Sequence, residues 1–228
     1  MSTAKDLTPT SYALLGLLAI RPWTSYELAA QMDRTLSRFW PRARSKLYEE
    51  PKKLVAKGLA EATKEAVGRR PRTVYGITPE GRLALAAWLA RPGEGPVVEF
   101  EQLLKVFFAD SGSTADLLHT LQDVRAWAQE RTLVDIEVGR SYLEGRGAFP
   151  ERAAILVLTG RILDDLVGTV DRWAQWATEI AETWPDRPGD AEPDLAALEV
   201  TVLQALERSA QWRAAAGRHR RDEAGEGT

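Results

Sequence analysis

The side chains best able to do chemistry in this 228-residue sequence are hydrogen-bond donors, not nucleophiles. Arg42, Arg44, Ser45 and Lys46 fall together, Tyr48, Lys52 and Lys53 follow, and Arg69, Arg70 and Arg72 form a second cluster. Guanidinium and ammonium groups at this density neutralise phosphate. Arg and Lys also donate to guanine O6 and N7, and Ser serves base or backbone. Catalytic chemistry lacks its parts. There is no cysteine, and the two histidines, His119 and His219, do not form a spaced ligand pair. No glycine-rich phosphate loop is present, and no nucleophile stands beside a base. Neither an enzyme nor a cofactor is expected.

Charge is divided unevenly along the chain. Residues 1–90 hold 15 Lys+Arg against 8 Asp+Glu, whereas residues 91–228 hold 15 against 25, so the formal net charge of −3 hides a basic half and an acidic one. Such a split is expected when one half meets phosphate and the other meets protein or solvent. The longest apolar run, Ala13 to Ile20, is shorter than a bilayer span and lacks the marks of a signal peptide. The expected compartment is the cytoplasm, with no membrane partner.

The basic clusters must be held by the elements around them. Thr8-Pro9 opens a helix whose Tyr12, Leu14, Leu15, Leu17 and Leu18 lie nearly all round it, as in a buried helix, and Pro22 ends it. Thr24 to Glu27 has the spacing of a capping box and starts a second helix, with Leu28 and Met32 on one face. A third helix is expected from Trp40-Pro41, with the cations in its first turns and Leu47, Leu54 and Val55 on its core side. Pro51 predicts a kink near Glu50. Ala60 to Val67 alternates as a half-exposed strand, Gly68 to Pro71 reads as a turn, and Arg72 to Ile77 returns. Three arginines at a hairpin tip repel one another unless phosphate or a narrow minor groove meets them. Thr78-Pro79 then caps a fourth helix, with Leu83, Leu85, Trp88 and Leu89 expected to pack inward.

This order is that of a winged helix-turn-helix. The stretch 8–90 further resembles the N-terminal domain of PadR-family transcriptional regulators through SYALLGLLA, SYEL, LYEEPKKLVAKGLAE and RTVYGITPEGRLAL. The resemblance implies that Tyr48 and the residues before it lie at a DNA surface and that the hairpin arginines contact backbone. It also implies dimerisation through C-terminal helices. Ser25 stands where many members carry Gly, and Pro51 where an apolar residue is common.

Beyond the Gly- and Pro-rich break at residues 91–96 the pattern is helical. Phe100, Leu103, Leu104, Phe107 and Phe108 mark a short helix. Leu117, Leu121, Val124, Trp127, Val134 and Val138 mark a long one. A third stripe of Ile155, Leu158, Ile162, Leu166, Val170, Trp173, Ala177, Ile180 and Trp184 steps by threes and fours, as a helix–helix seam does. Leu195, Leu198, Val202 and Leu206 begin a last helix. Residues 217–228 read as a disordered polar tail.

The expected fold is mainly α, an α+β winged helix-turn-helix domain over residues 1–92 followed by a helical dimerisation and effector domain over 96–216. Ile155, Ile162, Leu166 and Val170 are assigned to a dimer interface, because two or three long helices cannot bury these stripes alone. Trp127, Trp173 and Trp176 have two readings, an aromatic-lined effector pocket or ordinary packing. The expected partners are double-stranded operator DNA with an inverted repeat, a second copy of the chain, and a small hydrophobic or aromatic effector. The resulting function is a homodimeric repressor released by that effector. The competing reading is a winged-helix interaction scaffold without specific DNA binding, which needs neither the basic tip nor the charge split.

Overall fold

The computed structural model describes residues 7–41, 43–67 and 70–225, except the side chains of 44–46, 66–67, 70–71 and 216–225. The chain divides into two compact units, Met1–Val98 and Glu99–Thr228. The first unit runs α1 (Pro9–Ile20), β1 (Trp23–Thr24), α2 (Ser25–Thr35), α3 (Arg44–Ala56), β2 (Ala60–Val67), β3 (Arg70–Ile77) and α4 (Pro79–Leu89). Its strands form an antiparallel sheet in the order β1-β3-β2. Leu14, Leu15 and Leu18 of α1, Leu28 and Met32 of α2, and Leu47 and Leu54 of α3 are all fully buried, so three short helices share one core. Both early caps form as their residues dictate. Thr8 exchanges hydrogen bonds with Ser11, and Thr24 with Glu27, each satisfying amides that a helix start leaves open.

Four residues join the third helix to the wing and the wing to α4. Gly58 has φ +72°, the left-handed conformation that ends α3, and Leu59 N–H bonds back to the Leu54 carbonyl at 2.9 Å. The Thr78 hydroxyl donates to the Gly58 carbonyl at 2.8 Å and accepts from Gly81 N–H at 3.1 Å, so one side chain links the end of α3 to the start of α4. Tyr12 stacks on Trp88, with ring centroids 4.9 Å apart and planes 7° from parallel, which fixes α4 against α1.

Several sequence expectations are corrected in this unit. α3 starts at Arg44, not at Trp40-Pro41. Trp40 instead donates its indole N–H to Thr10 Oγ1 at 3.1 Å, a tertiary bond that holds it outside the helix. α3 then runs without interruption through Pro51, which is fully buried on the core side beside Leu47 and Leu54. The hairpin turn is shorter than expected, because Arg70 and Pro71 already pair with Val67 and Ala66. Pro71 is tolerated there because β1 reaches only Val74 and Tyr75, leaving that part of β3 an edge. On α4, Leu83 and Leu89 are exposed, while Leu85 and Trp88 are half-buried.

The second unit holds α5 (Glu101–Phe107), α6 (Thr114–Leu143), α7 (Ala153–Ala181) and α8 (Leu195–Gly225). Thr114 N–H bonds the Asp186 carbonyl at 2.9 Å, its hydroxyl bonds the Pro185 carbonyl, and Arg125 pairs with Asp171 at 3.3 Å. Facing residue numbers fall on α7 as they rise on α6, so the two helices are antiparallel. Their seam is Leu117, Leu121, Val124 and Ala128 against Val167, Ala174 and Ala181, with Trp173 and Ala177 packed beside it. Small residues recurring every seven positions on α7 let the two backbones approach. The stripe read in the sequence is therefore divided: its later members Trp173, Ala177 and Trp184 pack beside the seam, whereas Ile155, Leu158, Ile162 and Leu166 are exposed, as are Val134 and Val138 of α6. The apolar side chains of α8 are exposed as well, including Leu195, Leu198, Val202 and Leu206. Its backbone is helical to Gly225, which corrects the expectation of a disordered tail from residue 217. Arg218, Arg220, Arg221, Glu223 and Ala224 there are good helix formers, and polarity alone does not prevent a helix.

Candidate nucleic-acid interface

The third helix presents its charged side because its other side is anchored. Leu47, Pro51 and Leu54 are sunk in the core. On the same helix, Glu50 accepts a hydrogen bond from the buried Ser11 hydroxyl of α1 at 2.5 Å. Ser11 also receives Thr8 N–H at 3.1 Å, so a continuous chain of bonds runs from the cap of α1 to the middle of α3. The Trp40 to Thr10 bond ties the approach to α3 onto α1 as well. The sheet is anchored beside them. Trp23 is buried, donates to the Leu17 carbonyl at 2.9 Å, and lies under the Arg21 guanidinium at 3.8 Å from its ring centre.

Among the described residues, each cation assigned to DNA whose side chain is described faces a carboxylate. Lys52 Nζ lies 3.1 Å from Glu49 and Lys53 Nζ 3.4 Å from Glu50, both one helical turn apart. Arg72 donates through Nε at 3.1 Å and Nη2 at 2.8 Å to one oxygen of Glu65, its direct cross-strand partner. This replaces the picture of three repelling arginines at the wing tip, since at least one carries its own counter-charge. Arg72 also acts on Glu27. That carboxyl is held below the ordinary glutamate value chiefly by the Thr24 backbone N–H, then by the Thr24 hydroxyl, with Arg72 and Arg21 adding to the effect.

The remaining assigned residues fall as follows. Arg44, Ser45 and Lys46 form the first turn of α3, and Tyr48 follows them half-buried. Arg70 opens β3. Arg42 and Arg69 lie outside the described residues. Glu49, Glu50 and Glu65 were missed by the sequence reading, although the Glu-Glu-Pro-Lys-Lys spacing carries the i,i+3 signal for two of them. In the second unit Trp173 is half-buried and meets Phe100 edge-on at 6.0 Å, whereas Trp127 and Trp176 are exposed. A cavity of about 570 Å³ lies between α5 and the start of α6, lined by Leu104, Lys105, Phe108, Ser113, Asp116 and Leu117 among others; none of the three tryptophans lines it. Among the described residues no group of His, Asp or Glu could hold a metal ion, and no helix is long and apolar enough to cross a membrane.

Three packed helices, a two-stranded wing and a basic third helix define a winged helix-turn-helix with an added helical unit. Residues 14–87 match the family described as "Transcriptional regulator PadR-like family". The chain is 31% identical over 99 residues to the negative transcriptional regulator PadR of Bacillus subtilis, covering 42% of this chain and 54% of that protein. It is 32% identical over 82 residues to a probable transcriptional regulator of Mycobacterium tuberculosis, covering 36% and 43%. Its matches thus span about half the length of these relatives. Over this stretch the chain is similar to PadR-like transcriptional regulators.

Whole-fold likeness extends further than sequence likeness. The B. subtilis PadR structure in complex with operator DNA aligns with a TM-score of 0.63 at 24% identity, over 76% of this chain and 99% of that one. The same protein with p-coumaric acid aligns at 0.58 and 25%, over 75% and 98%. A PadR-like regulator of Bacillus cereus aligns at 0.63 and 16%, over 78% and 98%. The fold is therefore mainly helical, a winged helix-turn-helix followed by a helical bundle. Roughly a quarter of this chain has no counterpart in these structures.

Proposed function

We propose that this protein is a homodimeric repressor that acts in the cytoplasm, binds an inverted-repeat operator, and is released by a small planar aromatic or hydrophobic effector. The observation that carries the reading is the anchoring of α3. With Leu47, Pro51 and Leu54 buried, the Lys52 and Lys53 side is left at the surface, and the helix start carries Arg44, Ser45 and Lys46. A helix held so, beside a basic wing, suits the major groove, with the wing on phosphate or minor groove. The relative solved with operator DNA, and described as a negative regulator, supports the same reading.

Dimerisation is supported by the exposed rows that the α6–α7 seam leaves over. Ile155, Ile162 and Leu166 on α7 and Val134 and Val138 on α6 are apolar and about half or more exposed, and Val170 borders them half-buried. Burying such rows in a symmetric pair would also place two recognition helices about a two-fold axis. The effector is supported by the relative bound to p-coumaric acid and by the aromatic side chains Trp127, Trp173 and Trp176. The test is anisotropy titration and footprinting on DNA upstream of the protein's own gene. The expected result is a protected site of two half-sites about one helical turn apart, with affinity that falls steeply as salt rises, by a slope of roughly 0.9 per neutralised phosphate. Salt-independent or absent binding to every upstream fragment would refute it.

A further inference from the structure

We propose that Glu65 and Glu49 are specificity-determining residues, carboxylates that occupy Arg72 and Lys52 in the free chain and so suppress binding to DNA in general. The inference rests on the DNA-binding reading above and assigns to it a device that the cations alone do not contain.

Arg72 and Glu65 are direct partners in the β2–β3 ladder, and both guanidinium contacts go to a single carboxylate oxygen at 2.8 and 3.1 Å. Both side chains are close to half-exposed, at 46% and 43%, and a phosphate bound through Nε and Nη2 competes directly with Glu65 for them. Lys52 and Glu49 repeat the arrangement on the exposed side of α3, one turn apart and more than 60% exposed. An exposed pair of this kind is weak, and that weakness suits the purpose. On random DNA, where the docking geometry is loose, the pair persists and the cation contributes no net charge. On the operator, base contacts hold wing and helix in register, and a phosphate fixed against Arg72 displaces Glu65. The carboxylates therefore cost affinity where contacts are few and little where contacts are many, which widens the gap between operator and random sequence.

The measurement is a salt series of full-length protein on a random duplex and on the best-bound upstream fragment, comparing wild type, Glu65→Gln and Glu49→Gln. Each Gln keeps the shape and removes the charge. On random DNA we expect tighter binding by about two- to five-fold, the range of one exposed ion pair. The salt slope there should steepen by roughly 0.9 as one more phosphate is neutralised. On the operator fragment the slope should stay at the wild-type value, so the operator-to-random ratio narrows. Adding Arg72→Gln to Glu65→Gln should return the random-DNA slope to wild type. Unchanged slope and affinity on random DNA in both Gln variants would overturn the proposal, as would an equal gain on both duplexes. Wild type that binds neither duplex in a salt-dependent way would overturn the DNA-binding reading itself, and the proposal with it. The two carboxylates sit on different elements, so a folding defect in one variant leaves the other as the test.

Discussion

Gly81 and Leu59 approach so closely that a Cβ built on the glycine lies 2.1 Å from the Leu59 carbonyl oxygen. The obstacle is backbone and cannot swing aside, which explains the glycine in the Thr-Pro-Glu-Gly start of α4. Gly81→Ala should cost about 1–3 kcal/mol as an overpacked site. Gly16 in α1 has nothing within 4 Å of its Cβ position, so Gly16→Ala should instead stabilise by roughly 0.5–1 kcal/mol. Thermal melts of the two variants moving in the same direction would contradict this geometry.

The two elements assigned to DNA should separate by mutation. Arg69→Ala with Arg70→Ala should weaken binding about equally on all sequences, because a wing on backbone or minor groove reads little sequence. Arg44→Ala or Lys46→Ala should narrow discrimination by roughly 1–3 kcal/mol if the side chain makes a bidentate base contact. Competition titrations with operator and random duplexes give both numbers. Lost discrimination in the hairpin variant alone would reverse the roles.

Leu166 and Val167 are neighbours with opposite surroundings, 49% and 4% exposed. Leu166→Lys places a charge on the row assigned to the partner, and should leave a folded protomer that fails to dimerise. Val167→Lys places it in the α6–α7 seam and should destabilise the protomer by about 3 kcal/mol or more. Sedimentation and denaturant melts distinguish the two. A dimer that survives Leu166→Lys removes that row from the interface.

The tryptophans should divide in the same way. Trp173 packs against the Leu117 and Leu121 core, so Trp173→Ala should destabilise the second unit by about 3 kcal/mol. Trp176 is exposed, and Trp176→Ala should spare folding while weakening any fluorescence quench by a planar aromatic acid. Operator DNA should lower affinity for that acid by the factor by which the acid lowers affinity for operator. A full quench in Trp176→Ala would take this residue out of the effector site.

Two capping carboxylates contribute to acid sensitivity. Glu27 is depressed mainly by the Thr24 backbone N–H, and Asp116 mainly by the Ser113 hydroxyl. Each folded value lies below the unfolded one. Their stabilisation is therefore complete above the ordinary carboxylate range and is lost as pH falls through the folded values. Denaturant midpoints should be flat through neutral pH and decline in acid. The decline should be shallower in Glu27→Gln, because that carboxyl no longer titrates.

Much of the first unit was legible in the sequence because its signals are local. The caps at Thr8, Thr24 and Thr78 and the nearly all-round apolar pattern of α1 each act within a few residues, and each formed as read. The start of α3 was not legible, since Trp40 is held out of the helix by Thr10, thirty residues earlier. Nor was the pairing of Arg72 with Glu65, because charges seven residues apart meet only once the ladder sets their register.

The second unit shows the same limit more sharply. Sequence alone determined that it is helical and where its breaks fall, because periodicity and Gly-Pro punctuation are properties of the chain. It could not determine which of two apolar rows on α7 turns inward. Ile155, Ile162 and Leu166 satisfy the helical period as well as Val167, Ala174 and Ala181 do, and any such row can serve as a seam. Only tertiary packing decided between them, because α6 fills the side of α7 where small residues admit close backbone approach, and leaves Ile155, Ile162 and Leu166 exposed.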